Sequence, residues 1–427
     1  MSQKLNRVGR RRFLKTALSV GAAAVAPQVI PSTALGKDGA IAPSERITVG
    51  GIGIGNRGTY DLGCFLKQPD VQFLAICDIK ASQRAKIKGM ADRHHKNSDC
   101  ETYRDFRDLL LRDDIDAVLI ATGPNWHCTA SVYAARAGKD IYCEKPCTKN
   151  IEQSLILADT MKRTGCVFQA GTQRRNIPHF AFACELARTG KLGKMKRVHA
   201  HPAGMRAKMS GWNTPLPEPP KDEIDWDMYL GPAAWRPYNK GDMNGFHFEK
   251  GGGLVGGGVL EWGSHCVDLC QWAVGDCPPP IEYNPPENNE IICRYENDVE
   301  LVIREKGWIG LGSCPVRFEG ETGWVEAGDS GKMVLSSPEL KAGREVAEIG
   351  GYPATFHVRD FLDCVKTRNQ PKTNADAACW AHIACHGANN ALFLGRTLNY
   401  DLDTHSYIDD DEANRLRNEA LRAPWRI

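Results

Sequence analysis

Ile47-Thr48-Val49-Gly50-Gly51-Ile52-Gly53-Ile54-Gly55-Asn56-Arg57-Gly58 is the stretch on which the reading of this chain turns. A β-branched apolar run leads directly into Gly53-x-Gly55-x-x-Gly58 and a helical pattern follows, so the stretch predicts a strand, a tight turn and a helix N-terminus. Gly53 permits the turn, Gly55 lets the backbone approach a pyrophosphate, and Gly58 lets the helix close on the strand. The unpaired N–H groups of the first helical turn, where Asn56 and Arg57 stand, then offer an anion site. Twenty residues beyond Gly58 the next apolar run ends at Asp78, placed to accept hydrogen bonds from both adenosine ribose hydroxyls. Its negative charge repels a 2′-phosphate, so the pattern predicts NAD in preference to NADP.

The same rhythm extends outward. β-branched runs at 47–51, 71–77, 117–121, 140–143 and 167–170 alternate with helical patterns, notably 131–137 and 151–162, the order of a doubly wound parallel sheet. Near Gly171 the pattern changes. A helix at 180–188 is followed by an irregular stretch rich in Pro, Trp and Gly (211–258) and by alternating segments at 290–294, 300–304 and 323–326, which predict antiparallel strands with one solvated face. The helical region 355–394 is expected to pack back on that second sheet. At 427 residues the chain exceeds what one core organises. The expected architecture is an α/β Rossmann domain at 46–170 and an α+β domain at 171–427 with a large, mainly antiparallel open sheet.

Residues 1–36 carry six basic side chains, including Arg10-Arg11-Arg12, and no acidic one; Phe13-Leu14-Lys15 and a short apolar run to Ala26 follow. They resemble a twin-arginine signal peptide, so the expected location is periplasmic, by the folded-protein export route. The apolar run falls well short of the ~20 residues that span a bilayer, and no membrane span is expected after cleavage. Without these residues the chain has 48 basic and 52 acidic side chains, a formal charge of −4, which gives no reason to expect a nucleic-acid partner. Sixteen cysteines include no Cys-x-x-Cys pair; no metal site is predicted, and the cysteines are read as small core hydrophobes.

After the run at 140–143 comes Glu144-Lys145-Pro146. Other distinctive stretches are Thr122-Gly123-Pro124-Asn125-Trp126-His127, Gly171-Thr172-Gln173-Arg174-Arg175, Asp225-Trp226-Asp227 with Leu230-Gly231-Pro232, and Gly251-Gly252-Gly253 ahead of Glu261-Trp262-Gly263-Ser264-His265-Cys266-Val267-Asp268. Together they resemble the glucose-fructose oxidoreductase / inositol dehydrogenase / rhizopine catabolism (Gfo/Idh/MocA) family over nearly the whole chain beyond residue 36. The resemblance implies an NAD-dependent oxidoreductase acting on a sugar or glycoside hydroxyl, and a homo-oligomer paired through the C-terminal sheet. Outside the cytoplasm such an enzyme would have to keep and recycle its cofactor. A redox-neutral glycoside hydrolase, lyase or epimerase of the same fold is the alternative. A non-catalytic NAD-binding module is the third reading, and it would be expected to lose Lys145 or His265.

Oxidising an alcohol carbon requires a base for the hydroxyl proton while hydride leaves for the nicotinamide. His265 suits the base, since imidazole exchanges protons near neutral pH. Lys145 would donate to the reacting oxygen. Glu261 stands one helical turn before His265, to orient the imidazole or bind a substrate hydroxyl; the family usually has aspartate there. Thr122, Asn125, His127, Glu144, Lys145 and Gln173 join the glycine turn and Asp78 as expected cofactor contacts, with Trp126 and His127 lining the nicotinamide pocket. Arg174, Trp235, Arg236, Tyr238 and His247 suit sugar hydroxyls and ring faces, Arg174 with an interdomain ion pair as its alternative. Asp268 is read as binding substrate or pairing.

Overall fold

The computed structural model describes residues 41–202, 204–205, 213–243, 259–275, 277–304 and 310–427. The expected signal at 1–36, the Gly251–Gly253 run and His247 lie outside the described residues. Residues 41–46 hold one short 3-10 turn, Pro43–Glu45.

From Ile47 the chain alternates strand and helix: β1 (Ile47–Ile52), α1 (Asn56–Leu66), β2 (Val71–Cys77), α2 (Ala81–His95), β3 (Glu101–Tyr103), α3 (Phe106–Leu110), β4 (Ala117–Ile120), α4 (Pro124–Arg136), β5 (Asp140–Cys143), α5 (Ile151–Thr164) and β6 (Phe168–Ala170). The strands form a parallel sheet in the order β3-β2-β1-β4-β5-β6. β1 and β4 are buried throughout, as strands covered on both faces must be. One face packs on Leu62 and Phe65 of α1 and Ile87 of α2; the other packs on Leu109 of α3, Val132 of α4 and Met161 of α5.

Register decides where the loops emerge. Ile52 lies level with Cys77 and Ile120, Ile120 with Cys143, and Cys143 with Ala170. The turns beginning at Gly53, Asp78, Ala121, Glu144 and Gly171 therefore leave along one edge of the sheet. The strand order reverses between β1 and β4, and the crevice at such a point is where these sheets bind ligands.

The second half contains α6 (Pro178–Arg188), β7 (Met195–Ala200), α7 (Trp226–Leu230), α8 (Val259–Ala273), β8 (Glu282–Tyr283), β9 (Glu290–Arg294), β10 (Glu300–Arg304), β11 (Val316–Gly320), β12 (Trp324–Ala327) and β13 (Met333–Leu335). α9 (Thr355–Thr367), α10 (Ala375–Leu394), β14 (Leu398–Asp401), β15 (Ser406–Tyr407) and α11 (Asp411–Arg415) follow. The nine-stranded sheet runs β13-β12-β11-β7-β10-β9-β8-β14-β15. β7 and β10 are parallel and the other neighbours antiparallel. α6, α8 and α10 cover one face through Phe180, Leu269 and Ile383. Strand alternation puts Arg197, Glu300, Arg317 and Glu319 on the other.

Several sequence expectations shift. β3 was not foreseen: it is a three-residue edge strand, Glu-Thr-Tyr, with no buried residue. α4 starts at Pro124 instead of 131, because proline at the first helical position loses only an N–H that needs no partner. The region 355–394 is two helices, and only the second packs on the open sheet. α9 turns Val358, Phe361 and Leu362 into the parallel-sheet core, with the Phe361 ring 6.0 Å from Phe65 and 5.9 Å from Tyr142. No helix among the described residues is long and apolar enough to cross a membrane. All sixteen cysteines are free thiols, and only Cys277 is not fully buried.

Candidate active site

The three glycines of the first turn answer to different constraints. Gly53 has φ +66°, and a Cβ there would fall 2.2 Å from Thr122 Cγ2, so glycine is required twice over. A Cβ at Gly58 would stand 2.7 Å from Ala121 Cβ, where α1 crosses the end of β4. Gly55 is unlike both, since a Cβ there meets no protein atom within 4 Å. Packing gives no reason for glycine at 55; close approach by a pyrophosphate does. Gly55 is the N-cap of α1 and no side chain caps the helix, which leaves first-turn N–H groups for an anion.

Asp78, at the end of β2, accepts a hydrogen bond from Lys80 N at 2.9 Å. Burial pushes its carboxyl above the ordinary range, a cost that hydroxyl donors would offset by favouring the ionised form. The cradle thus fits a dinucleotide, with Gly55, the exposed Asn56 and the start of α1 at the pyrophosphate and Asp78 at the adenosine ribose.

Arg57 does not reach outward as expected. Its Nε lies 3.1 Å from Asp61 Oδ2 and 3.3 Å from Glu144 Oε1. Gln173, with its amide oriented to satisfy both neighbours, accepts from Arg57 Nη2 at 2.5 Å and donates to Gly171 O at 2.8 Å. Glu144 Oε2 in turn accepts from Lys145 N at 3.2 Å. Arg57, Glu144 and Gln173 therefore brace α1 against the turn after β5. Fully buried Asp61 shares this arginine with Glu144. Burial, with the neighbouring Glu144 charge, pushes its carboxyl up to about 9, so this carboxylate pair favours holding a proton.

The turn after β4 behaves similarly. Thr122 Oγ1 donates to Gly123 O at 3.1 Å. Asn125 gives both amide hydrogens to backbone carbonyls, Tyr229 O at 3.1 Å and Leu230 O at 3.0 Å, and Trp126 Nε1 donates to Met228 O at 2.7 Å. The buried His127 ring lies between Pro146 O at 2.7 Å and Thr122 O at 3.0 Å, tying the turn after β4 to the turn after β5. Burial lowers its pKa. Trp126 and His127, expected at the nicotinamide, and the amide nitrogen of Asn125, expected at the cofactor, are engaged as loop braces.

Lys145 precedes a cis proline and reaches α8 of the other half. Its Nζ donates to Glu261 O at 3.0 Å and also pairs with the Glu261 carboxylate. Trp262 neighbours two groups, its ring 5.8 Å from Lys145 Nζ and 6.3 Å from the His265 ring. Burial, then the charges of Arg174 and Lys145, hold the His265 pKa well below its usual value. The imidazole is therefore neutral and able to accept a proton. Arg174 is 1 % exposed and forks onto Asp329, Nε to Oδ1 at 2.8 Å and Nη2 to Oδ2 at 2.5 Å. Glu261 Oε2, His265 Nδ1 and Arg174 Nη1 are buried with no hydrogen-bond partner among the described residues. Buried polar atoms rarely stay unpaired; a ligand bearing several hydroxyls would satisfy all three.

Other expected contacts have neighbours of their own. Both Asp268 oxygens are held by Arg175, at 2.9 and 2.8 Å, which is the pairing reading of this residue. Trp235 is 64 % exposed, whereas Arg236 is buried and its carbonyl accepts from Trp226 Nε1 at 2.9 Å. Tyr238 packs edge-on against Trp226, 5.2 Å between centroids. Asp329 was missed, since nothing local marks a carboxylate that meets its arginine 155 positions away. Trp262 stood within a quoted motif, but its nearness to both lysine and histidine follows only from the structure. Among the described residues no cluster of His, Cys, Asp and Glu has a metal-holding arrangement.

A glycine cradle on a parallel sheet, facing a lysine and a histidine brought together from two halves of the chain, defines a nicotinamide-dependent oxidoreductase architecture. Residues 47–172 match the profile of the oxidoreductase family's NAD-binding Rossmann fold, and residues 205–427 match that family's C-terminal alpha/beta domain. The chain belongs to the Gfo/Idh/MocA oxidoreductase family, and its first half is NAD-binding. Among curated proteins, "Glycosyl hydrolase family 109 protein 1" of Shewanella sp. (strain MR-4) is 33 % identical over 175 residues, 38 % of each chain. The chain thus matches well under half the length of such relatives. Among solved structures, aldose-aldose oxidoreductase from Caulobacter crescentus is 17 % identical with TM-score 0.60, covering 83 % of this chain and 99 % of that one. Scyllo-inositol dehydrogenase from Lactobacillus casei is 16 % identical with TM-score 0.58, over 83 % and 99 %. These likenesses are of fold.

Proposed function

We propose that the protein oxidises a hydroxyl of an uncharged sugar or glycoside, using NAD that stays bound. The observation that carries this reading is the group of unpartnered buried atoms, Glu261 Oε2, His265 Nδ1 and Arg174 Nη1, beside Lys145. NAD, when bound, accepts hydride from the alcohol carbon. His265 takes the hydroxyl proton, and Lys145 donates to the reacting oxygen as it gains negative charge. Glu261 fixes the lysine with one oxygen and offers the other to a neighbouring hydroxyl; Arg174 donates to a further oxygen. Lys145 is balanced by Glu261 and Arg174 by Asp329, and His265 is neutral. A sugar acid would bring an uncompensated charge, so a neutral polyol is favoured.

The test is a panel of neutral sugars, polyols, glycosides and sugar acids, following nicotinamide absorbance and products together. Neutral compounds should be oxidised, with kcat/KM reduced by roughly 10²-fold or more in Lys145→Ala and His265→Ala. Preference for sugar acids, or full activity in either variant, would refute the assignment. The match to proteins called glycosyl hydrolase family 109 supports a second, redox-neutral reading, marked by release of a reducing sugar with no net absorbance change.

Three further parts of this reading concern organisation. Residues 1–36 act as a twin-arginine signal, so Arg10→Lys with Arg11→Lys should leave the protein in the cytoplasm on cell fractionation. The halves divide at 170/171. Two copies pair through the charged outer face of the nine-stranded sheet, and Arg317→Glu should lower the mass seen by sedimentation.

A further inference from the structure

The segment 220–231, which belongs to the second half, crosses both loops that flank the adenosine end of the dinucleotide crevice. At the loop after β2, Ala81 N donates to Glu223 O at 3.0 Å and Asp225 N to Ile79 O at 3.2 Å, and Lys80 and Ile224 form an antiparallel bridge. These contacts begin one residue past Asp78. At the loop after β4, the segment takes the Asn125 amide and Trp126 indole hydrogen bonds given above. Gly231, at φ +51°, lies so close to the Trp126 ring that a Cβ would stand 2.2 Å from it.

The C-terminal tail fastens the segment from outside. Arg422 donates to Gly231 O at 2.9 Å, to Asp227 O at 2.8 Å and to the Asp227 carboxylate at 2.5 Å. The Trp425 ring packs 4.6 Å from Trp126 and 6.1 Å from Phe106, and the Arg107 guanidinium covers it at 4.9 Å. The crossing is thus pinned at both loops and fastened by a third stretch of chain.

We propose that residues 220–231, fastened by Arg422 and Trp425, form a strap across the adenosine end of the NAD site and set the rate at which NAD leaves. The proposal rests on NAD binding by the first half and not on which alcohol is oxidised. Neither Arg422 nor Trp425 belongs to the catalytic group.

The test uses the full chain loaded with NADH and chased with excess NAD, following the loss of bound-NADH fluorescence. Arg422→Ala and Trp425→Ala, checked by circular dichroism and melting, should release NADH at least tenfold faster, with Arg422→Lys in between. Unchanged release from folded variants would overturn the strap. Should the variants not fold, hydrogen exchange on the unaltered chain decides: NAD should slow exchange at the Ala81 and Asp225 amides, and unchanged exchange there sinks the proposal. A chain that binds no NADH overturns the strap along with the cofactor assignment; one that binds NADH but oxidises no sugar leaves the strap test intact and removes only the catalytic reading.

Discussion

At the scale of single residues, burial decides which groups are charged. His265 is kept neutral by desolvation and then by nearby cations, Arg174 first, so the acid limb of kcat/KM should fall below pH 6.5, the value of an ordinary histidine. A limb above that value would show that the imidazole is not the base. Asp61 is the converse case, a carboxyl raised to about 9 by burial first and Glu144 second. A raised carboxyl favours folding in its protonated form, so stability is lost as pH climbs from the unfolded value near 4 through the folded one. Asp61→Asn copies the protonated acid, and it should therefore melt at or above the parent temperature at pH 8–9, by up to about 1 kcal/mol. A loss as large as that of a broken ion pair would show that Asp61 is ionised.

At the scale of elements, the β1–α1 turn separates fold from binding within one motif. Gly55→Ala should leave the melting temperature unchanged and weaken NAD binding, because only the cofactor side is open. Gly58→Ala should cost about 1–3 kcal/mol of stability, because Ala121 is in the way; equal stability loss at both positions, by thermal melts and NADH titration, would contradict this. Asp268→Ala removes the carboxylate that accepts two hydrogen bonds from buried Arg175 and should cost about 3–5 kcal/mol by denaturant titration. These elements also show what the sequence could tell. The parallel strands and the glycine turn were legible because period, glycine spacing and Asp78 are all local signals. β9 and β10 fell where alternation predicted, at Glu290–Arg294 and Glu300–Arg304. Lys145, His265 and Glu261 were legible as candidates, but the engagement of Asn125, Arg57 and Asp268 with other residues was not. Asn125, Asp268 and the Glu144 side of Arg57 depend on partners from distant elements, and spacing along the chain carries no trace of that.

At the scale of the whole molecule, acid sensitivity is built in. Burial lowers His199 and His382 to about 4, and His357 and His386 to about 3. The unfolded chain then binds more protons between these values and 6.5, so the contribution of these histidines is complete above 6.5 and is lost as pH falls through the window. Urea midpoints should drop steeply between pH 6 and pH 4; a flat profile would mean that the buried imidazoles are solvated. The placement of α9 also bears on how the protein is made. Phe361 and Leu362 complete the apolar lining around Phe65 and Tyr142, yet they are translated some two hundred residues after β6. Until that helix is made the nascent nucleotide-binding half has a bare greasy strip, and its core can close only once a much later stretch of the polypeptide has been added.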